Sequence, residues 1–204
     1  MRLIAEELAG ERGGERVFSG VDFVLDAGEA LVVTGPNGSG KSTLLRVVAG
    51  LLPAAAGRLA LEGGGERWPD VAAALHYLGH QNAMKPALTV GENLLFWQRF
   101  CGEATQAVPQ ALAAVGLAGL GHLPFGYLST GQKRRAALAR LLVSHRPVWL
   151  LDEPTAGLDK ASDARLAELI HGHRADGGIV IAATHLPLGL EGAKALRMDD
   201  VQTA

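Results

Sequence analysis

A glycine-rich stretch that ends in lysine and serine carries the strongest chemical signal in the sequence. It consists of Gly35, Pro36, Asn37, Gly38, Ser39, Gly40, Lys41 and Ser42. The spacing matches the pattern G-x-x-x-x-G-K-[ST], in which backbone N–H groups surround the phosphates of a nucleotide. We expect Lys41 to reach the β- and γ-phosphates and the Ser42 hydroxyl to ligate Mg²⁺. Thr43 follows directly and completes the predicted nucleotide-binding set, so the sequence predicts a site for a nucleoside triphosphate.

Two carboxylates follow an apolar run later in the chain. Asp152 and Glu153 come directly after Val148-Trp149-Leu150-Leu151, which has the composition of a buried strand. The carboxyl end of such a strand is where open α/β sheets bind ligands. Asp152 suits the Mg²⁺ shell, usually through water, and Glu153 is then free to act as general base or to orient the attacking water. The alternative is a pair of carboxylates that caps the next turn.

A second anion site is predicted at the start of a helical run. Ser129 and Gln132 form the S-x-x-Q pattern of a capping box, ahead of the basic and apolar residues 133–140. Exposed N–H groups and the helix dipole favour an anion at such a helix start. A capping box by itself is a common structural feature, so the pattern alone does not assign a function.

The elements that must position these residues alternate in a regular way. Residues 30–34 read as a buried strand and residues 43–49 as a helix, so the glycine-rich loop lies between a strand and a helix. Further strands are expected at 75–81, 147–152, 178–185 and 195–198, with a helix at 162–173. Such alternation indicates an α/β fold with a mainly parallel sheet.

Two further regions depart from this alternation. Residues 2–34 alternate short apolar segments with turn residues, which predicts antiparallel strands ahead of the loop, and residues 57–65 read as one more strand and a turn. Between residues 86 and 126 the strand pattern stops, and helices are expected from Thr89, where T-x-x-E forms a capping box, and from Thr105 to Val115. This block predicts a helical subdomain inserted between strands.

Composition limits the function classes. Hydrophobic residues make up 48% and charged residues 20% of the chain, as in an ordinary folded protein, and the formal net charge is -2. This charge removes the bulk attraction expected of a nucleic-acid binder. The N-terminus does not read as a secretory signal and no apolar run is long enough to span a membrane, so we expect a soluble protein. A single cysteine, Cys101, suits a reducing compartment.

Taken together, the motifs resemble those of the ATP-binding cassette (ABC) ATPases over nearly the whole chain. The corresponding segments are the Walker A loop at 35–42, the Q-loop at Gln81, the signature motif at 128–132, the Walker B strand at 148–153, the D-loop at 156–159 and the switch histidine at His185. The resemblance implies the ABC ATPase fold: a P-loop NTPase core, an N-terminal antiparallel β subdomain and an inserted helical subdomain. It implies one domain over 1–204, with residues 1–80 and 145–204 in the core and 86–144 in the helical subdomain.

The resemblance also implies roles for individual residues. Glu153, His185 and Gln81 would be catalytic, and Ser42, Gln81 and Asp152 would hold Mg²⁺ beside ATP. In a head-to-tail homodimer, each ATP would lie between the Walker A loop of one subunit and the signature motif of the other. The residues implied to contact ATP across this dimer are Ser129, Gly131 and Gln132, with Asp159 in the D-loop.

Two positions depart from the family pattern. The signature motif has Thr130 where glycine is common, but Gly131 keeps the position of closest backbone approach. The aromatic residue that stacks on adenine is absent, and the alignment places Arg12 near its position. An arginine can stack on a base through its guanidinium plane, so Arg12 is the candidate for adenine stacking.

Within the family, four segments are similar to the ATP-binding subunits of haem exporters in bacterial cytochrome c maturation. These segments are residues 77–81, 85–94, 128–135 and 177–185. The similarity implies an ATPase that powers haem export or release of a haem-loaded chaperone, on membrane subunits of the CcmB and CcmC type. It implies a peripheral position on the cytoplasmic face of the inner membrane, with membrane contact through partners only and no nucleic acid. We expect docking between Gln81 and about Phe100.

Other interpretations stay open at the level of the sequence. The nearest is the ATPase subunit of another ABC transporter, for a lipid, a drug or a metal chelate. A soluble ABC ATPase of DNA repair or translation is a second, although those generally carry paired cassettes or long insertions. A nucleotide-binding regulator without turnover is a third, and the Asp152-Glu153 pair argues against it.

Overall fold

The N-terminal segment forms an antiparallel hairpin that gains a third strand from later in the chain. The computed structural model describes residues 1–184, 188 and 190–201. Gly13 and Gly14 have positive φ values of 65° and 85°, as a tight turn between paired strands requires. The sheet consists of β1 (Arg2–Arg12), β2 (Glu15–Asp26) and β4 (Ala54–Glu62), in the spatial order β2-β1-β4. The predicted antiparallel part is confirmed.

A second sheet has five strands, and all its pairings are parallel. It consists of β3 (Ala30–Thr34), β5 (Leu75–Leu78), β6 (Val148–Asp152), β7 (Ile179–Ala183) and β8 (Lys194–Arg197), in the spatial order β5-β6-β7-β3-β8. Every residue of β6 and β7 is buried, which explains why both strands are continuous apolar runs rather than alternating ones. The predicted α/β class with a mainly parallel sheet is confirmed.

Two helices flank strands of the parallel sheet along the chain. Helix α1 (Lys41–Val48) follows β3, and α5 (Lys160–Ala175) precedes β7. Apolar residues of α1 pack into the same hydrophobic cluster as residues of β1, β2, β3 and β6. Because β3 and β6 are parallel members of one sheet, the loops that follow them lie at the same edge.

The inserted block is helical, as predicted. It contains α2 (Val90–Cys101), α3 (Val108–Ala114) and α4 (Thr130–Val143). Helix α2 begins with a complete capping box, because the Thr89 side chain accepts a hydrogen bond from Glu92 N and the Glu92 side chain accepts one from Thr89 N. The same arrangement of Ser129 and Gln132 begins α4.

The predicted start of α3 at Thr105 is wrong. Thr105 N donates a hydrogen bond to Val143 O, and Thr105 Oγ1 donates one to Leu142 O, so both groups bind the end of α4 instead of a helical turn of their own. The helix begins three residues later, where Pro109 lies in its first turn and has no N–H to lose.

The contacts of the backbone divide the chain into two compact units. The first comprises Met1–Gly79, Pro147–Pro154 and Ile170–Ala204, and the second comprises His80–Arg146 and Thr155–Leu169. The second unit thus includes Thr155–Leu169, which the sequence analysis assigned to the core. Our description of the whole chain as one domain with a core and a helical subdomain stays a prediction.

Candidate nucleotide-binding site

The glycine-rich loop connects β3 to α1 in the first unit. Gly35, Gly38 and Gly40 have φ values of 141°, 89° and 95°, which other residues adopt only with strain. A Cβ atom on Gly40 would lie 2.6 Å from Val17 Cγ1, and one on Gly35 would lie 2.7 Å from Ser39 Oγ. The glycines at these two positions are therefore needed both for their backbone conformation and for space.

Lys41 lies under this loop rather than on the surface. Only 7% of the residue is exposed, and its ammonium donates hydrogen bonds to Gly35 O at 2.7 Å and to Pro36 O at 2.9 Å. Lys41 is therefore not an ordinary surface lysine. A buried ammonium held at the loop is a fixed positive charge beside the backbone N–H groups, which is the arrangement that binds phosphate.

Asp152 at the end of β6 accepts hydrogen bonds from two hydroxyl groups. Ser42 Oγ donates to Asp152 Oδ1 at 3.0 Å, and Tyr77 Oη donates to Asp152 Oδ2 at 3.3 Å. Burial and the charge of Asp152 raise the pKa of the Tyr77 phenol, and a hydrogen bond from Arg46 opposes this shift in part. The phenol consequently keeps its proton at neutral pH and remains a donor.

Glu153 follows with an unusual backbone conformation. Its φ of 44° lies in the left-handed region, and its N–H donates to Ala183 O at 2.9 Å. Such a conformation costs about 1–3 kcal/mol in a residue other than glycine and is concentrated at functional sites. This backbone conformation sets the direction of the half-buried Glu153 side chain. The preceding residue, Asp152, is buried.

These residues share one cleft of about 250 Å³ in the first unit. Its lining consists of Arg12, Val17, Asn37, Gly38, Gly40, Lys41, Ser42, Thr43, Asp152 and Glu153. The structure thus brings together the predicted phosphate loop, both carboxylates and Arg12, which sequence analysis selected for adenine stacking. Arg12 is exposed at the end of β1, so its guanidinium is accessible to a base.

The cleft fits ATP and Mg²⁺ by the chemistry of its donors. Ser39 Oγ is buried and has no hydrogen-bond partner among the described residues, and a Cβ atom on Gly38 would meet nothing within 4 Å. The open space at Gly38 leaves room for phosphate oxygens, and the Ser39 hydroxyl is available to bind them. A serine hydroxyl and one aspartate match Mg²⁺, which usually takes one or two carboxylates together with phosphate and water. Within the described ranges, no cluster of three His, Cys, Asp or Glu residues suggests a different metal.

The predicted signature residues lie in the second unit, at the start of α4. Ser129 is exposed, and its Oγ accepts a hydrogen bond from Gln132 N at 3.2 Å, while Gln132 Oε1 accepts one from Ser129 N at 2.9 Å. A Cβ atom on Gly131 would lie 3.1 Å from Gly157 O, so this glycine permits close approach of the segment that contains the predicted D-loop.

The remaining predicted residues have simpler surroundings. Gln81 is exposed in the second unit. Asp159 caps α5, because its Oδ1 accepts a hydrogen bond from Ser162 N at 2.8 Å, and the hydrogen bonds with Ser162 lower the pKa of the Asp159 carboxyl. His185 lies outside the described residues, so its predicted role stays a prediction.

A groove of about 300 Å³ lies in the second unit, where the sequence predicted docking. It is lined by Ala83, Met84, Lys85, Leu88, Asn93, Phe96 and Trp97. Phe96 is 50% exposed and Phe100 71% exposed, and the two rings are stacked with centroids 5.8 Å apart. An apolar patch of this kind is typical of a site for another protein chain.

Two residues make contacts that were not predicted from the sequence, one beside the cleft and one beside the groove. Tyr77 was assigned only to a strand, yet its hydroxyl contacts Asp152. Arg140 was assigned only to a helix, yet it is 6% exposed, its guanidinium lies 3.8 Å from the centroid of the Trp97 ring, and it donates to Asn82 O at 3.1 Å. No signal in the sequence indicates either contact, because both join residues that are distant along the chain.

Comparison with known proteins identifies the family. The profile of the ABC transporter family matches residues 18–156. The chain is 72% identical over 198 residues to the cytochrome c biogenesis ATP-binding export protein CcmA of Mesorhizobium japonicum, with 97% of this chain and 98% of the relative covered.

Solved structures agree with the fold. A Pyrococcus furiosus protein named "Putative ABC transporter (ATP-binding protein)" has a TM-score of 0.84 at 20% identity, with 100% of both chains covered. A dimeric bacterial ABC transporter cassette has a TM-score of 0.81 at 22% identity, with 98% of this chain and 96% of that chain covered. The chain therefore belongs to the ABC transporter family, and within it to the cytochrome c biogenesis ATP-binding export proteins, and it is an ABC-type ATPase.

Proposed function

We propose that this chain hydrolyses Mg-ATP at sites completed by a second copy of itself, and thereby powers the haem export or haem-chaperone release step of cytochrome c biogenesis. The observation that carries the catalytic part is the hydrogen bond between Ser42 of the phosphate loop and Asp152 of β6. It joins the hydroxyl and the carboxylate that Mg²⁺ would need, beside the buried ammonium of Lys41.

Each residue of the cleft then has a defined task. Lys41 binds the terminal phosphates, and Ser42 with Asp152 holds Mg²⁺, which supplies neutralisation of the phosphate charge. Glu153 accepts a proton from the attacking water or orients it. Gln81 and His185 are proposed to complete the site, as metal contact and as a hydrogen-bond donor to the γ-phosphate. Arg12 stacks on the base.

The second copy supplies the signature motif. The capped start of α4 presents Ser129 at the surface, with the positive end of the helix dipole behind it. In a head-to-tail dimer, the γ-phosphate of the ATP bound to one copy would reach Ser129, Gly131 and Gln132 of the other copy. This anion would give the start of α4 a ligand that one chain alone does not supply. The dimeric cassette of similar fold supports this arrangement.

The names of the relatives support the biological process. Relatives 72% and 66% identical to this chain are named as cytochrome c biogenesis ATP-binding export proteins. None of the helices in the described part of the chain has the length and apolar character needed to cross a bilayer. We therefore assign the link with the inner membrane to membrane subunits of the CcmB and CcmC type, with this chain peripheral on the cytoplasmic face.

The groove around Trp97 is the proposed contact with these subunits. The exposed Phe96 and the half-buried Trp97 suit a short apolar helix, and Lys85 at the groove adds a positive charge. Nucleotide hydrolysis would change the relative stability of the dimer and in this way move the bound subunit.

Substitution of Glu153 tests the chemistry. Glu153→Gln keeps the shape of the side chain but removes the base, so we expect phosphate release to fall by about 100-fold or more while ATP binding persists. Steady-state phosphate release and titration with a fluorescent ATP analogue measure the two quantities. Unchanged phosphate release would refute the role of Glu153. The exposed Glu66 offers a matched control as Glu66→Gln, which should hydrolyse ATP normally.

Co-purification tests the process. A tagged chain should retain membrane subunits of cytochrome c maturation, and Phe96→Asp should release them without loss of phosphate release by the free ATPase. Leu51→Asp is the control, because Leu51 is 61% exposed and lies outside the groove. Recovery of subunits for a lipid, a drug or a metal chelate instead would favour another ABC transporter.

A further inference from the structure

The two oxygens of Asp152 are held by two different hydroxyl groups. Oδ1 accepts from Ser42 at 3.0 Å, and Oδ2 accepts from Tyr77 at 3.3 Å. Asp152 is only 3% exposed, so water has little access to its carboxylate. The torsion about the last bond of an aspartate is broad and is not set by rotamer preference alone. The two hydroxyl groups therefore help to fix the plane of this carboxylate.

Tyr77 is itself held in place. It lies on β5, which pairs in parallel with β6 so that Tyr77 is opposite Leu150, two residues before Asp152. A Cβ atom on Gly79 would lie 2.9 Å from Cε1 of the Tyr77 ring, so the chain passes directly against the phenol. Arg46 of α1 also interacts electrostatically with its hydroxyl and partly offsets the rise in the pKa of the phenol. The phenol thus connects β5, β6 and the helix that follows the phosphate loop.

We propose that Tyr77 is a positioning residue, which orients the Asp152 carboxylate so that Oδ1 and the Ser42 hydroxyl face one Mg²⁺ ion. This inference rests on the proposed function, in which Mg²⁺ accompanies ATP. Partners that hold a metal-binding carboxylate typically change metal affinity by about 10- to 100-fold when they are removed. Tyr77 is not among the residues that line the cleft, so its effect should appear only in the part of the binding that depends on the metal.

The first experiment removes the hydroxyl and keeps the ring. The dissociation constant of a fluorescent ATP analogue is measured in excess Mg²⁺ and in excess EDTA for wild type, Tyr77→Phe and Tyr127→Phe. Tyr127 is the matched control, because it is 83% exposed. The affinity gain from Mg²⁺ is the dissociation constant in EDTA divided by that in Mg²⁺. For Tyr77→Phe we expect this ratio to fall by about 10-fold, while the dissociation constant in EDTA stays within about twofold of wild type. For Tyr127→Phe we expect no change.

Two results would overturn the proposal. One is a gain from Mg²⁺ in Tyr77→Phe equal to that of wild type. The other is equal weakening with and without Mg²⁺, which would indicate a purely structural role. Absence of any gain from Mg²⁺ in wild type would instead contradict the proposed use of Mg-ATP, so the two failures are distinguishable.

A second measurement does not depend on the folding of a Tyr77 variant. The chain has two tyrosines, so 3-fluorotyrosine labelling gives two ¹⁹F resonances, and the Tyr127→Phe protein assigns the resonance of Tyr77. Addition of Mg²⁺ in excess over EDTA to the labelled protein with nucleotide should shift the Tyr77 resonance. A Tyr77 resonance that does not respond to Mg²⁺ would contradict the proposal.

Discussion

Ser42 and Asp152 are 110 residues apart in the chain, yet Ser42 Oγ donates a 3.0 Å hydrogen bond to Asp152 Oδ1. Ser42 lies in the first turn of α1, directly after the loop that follows β3, and Asp152 ends β6; the parallel sheet brings both to one edge. Because Lys41 and Glu153 are their neighbours in sequence, this contact also brings the ammonium and the second carboxylate into the same cleft.

Replacement of Lys41 tests the electrostatic contribution to nucleotide binding. Lys41→Ala removes a charged hydrogen bond, which is worth about 1.5–3 kcal/mol. We expect the dissociation constant for ATP to rise by about 10- to 150-fold. Titration with a fluorescent ATP analogue measures it, and Lys160→Ala, at an exposed lysine, serves as the control. An unaltered dissociation constant in Lys41→Ala would contradict the assignment.

Much of this cleft could be predicted from local sequence. The phosphate loop, the strand before it and the Asp152-Glu153 pair are each continuous in the chain, so residue types and their spacing were enough to predict them. Both capping boxes were predicted correctly, because the pattern of Thr89 with Glu92 describes hydrogen bonds within a single turn. The parallel sheet also followed from alternation of apolar strands and helices.

Contacts between distant residues could not be predicted in this way. The hydroxyl of Tyr77 reaches Asp152 only because β5 and β6 are neighbours in the sheet, and strand order is not visible in strand composition. The start of α3 was misplaced since Thr105 binds the end of α4, 37 residues later in the case of Leu142. Local helix propensity depends only on neighbouring residues, so it cannot predict a contact with such a distant partner.

Gly131 provides a test of the signature motif. A Cβ atom on Gly131 would lie 3.1 Å from Gly157 O. Gly131→Ala should therefore displace either the segment around Gly131 or the segment around Gly157 by a few tenths of an ångström. Misplacement of a catalytic group is costly, and we expect ATP turnover to fall by about 10-fold or more with ATP affinity unchanged. Phosphate release measures the loss.

The matched control for this test is another helical glycine. A Cβ atom on Gly172 would meet nothing within 4 Å, so Gly172→Ala should leave turnover intact. It should also raise the free energy of unfolding by roughly 0.5–1 kcal/mol, because alanine is favoured over glycine inside a helix. Normal turnover in Gly131→Ala would show that close approach at this position is not needed.

Arg140 is expected to stabilise the second unit through its shape as well as its charge. Burial lowers its pKa to about 10, so the guanidinium is charged at neutral pH while it lies against Trp97. Arg140→Lys keeps a charge but loses the planar contact, and we expect the free energy of unfolding to fall by about 1–2 kcal/mol. Urea denaturation followed by tryptophan fluorescence measures the change.

The same arginine-to-lysine substitution at an exposed position on α2 serves as the control. Arg99→Lys should leave the free energy of unfolding within about 0.5 kcal/mol of wild type, as surface substitutions usually do. If Arg140→Lys were as stable as Arg99→Lys, the contact with Trp97 would not contribute to folding.

The capping box of α2 predicts a pH dependence. Hydrogen bonds from the Thr89 backbone and side chain lower the pKa of Glu92 below its ordinary value of 4.5. A carboxyl whose pKa is lower in the folded state stabilises that state above its unfolded pKa, and this contribution is lost as the pH falls through the folded value. Wild type should therefore exceed Glu92→Gln in stability at pH 7, and the difference should shrink in acid. Urea denaturation at several pH values checks this, and a difference that grows in acid would contradict it.

The central claim is that two copies of the chain enclose ATP between Lys41 of one and Ser129 of the other. Sedimentation of Glu153→Gln with Mg-ATP tests it most directly, because slow hydrolysis preserves the closed state. We predict a species with twice the mass of one chain, which reverts to the single chain when Ser129→Arg is added to the same protein. A Glu153→Gln protein that binds Mg-ATP and still sediments as a single chain would contradict the account.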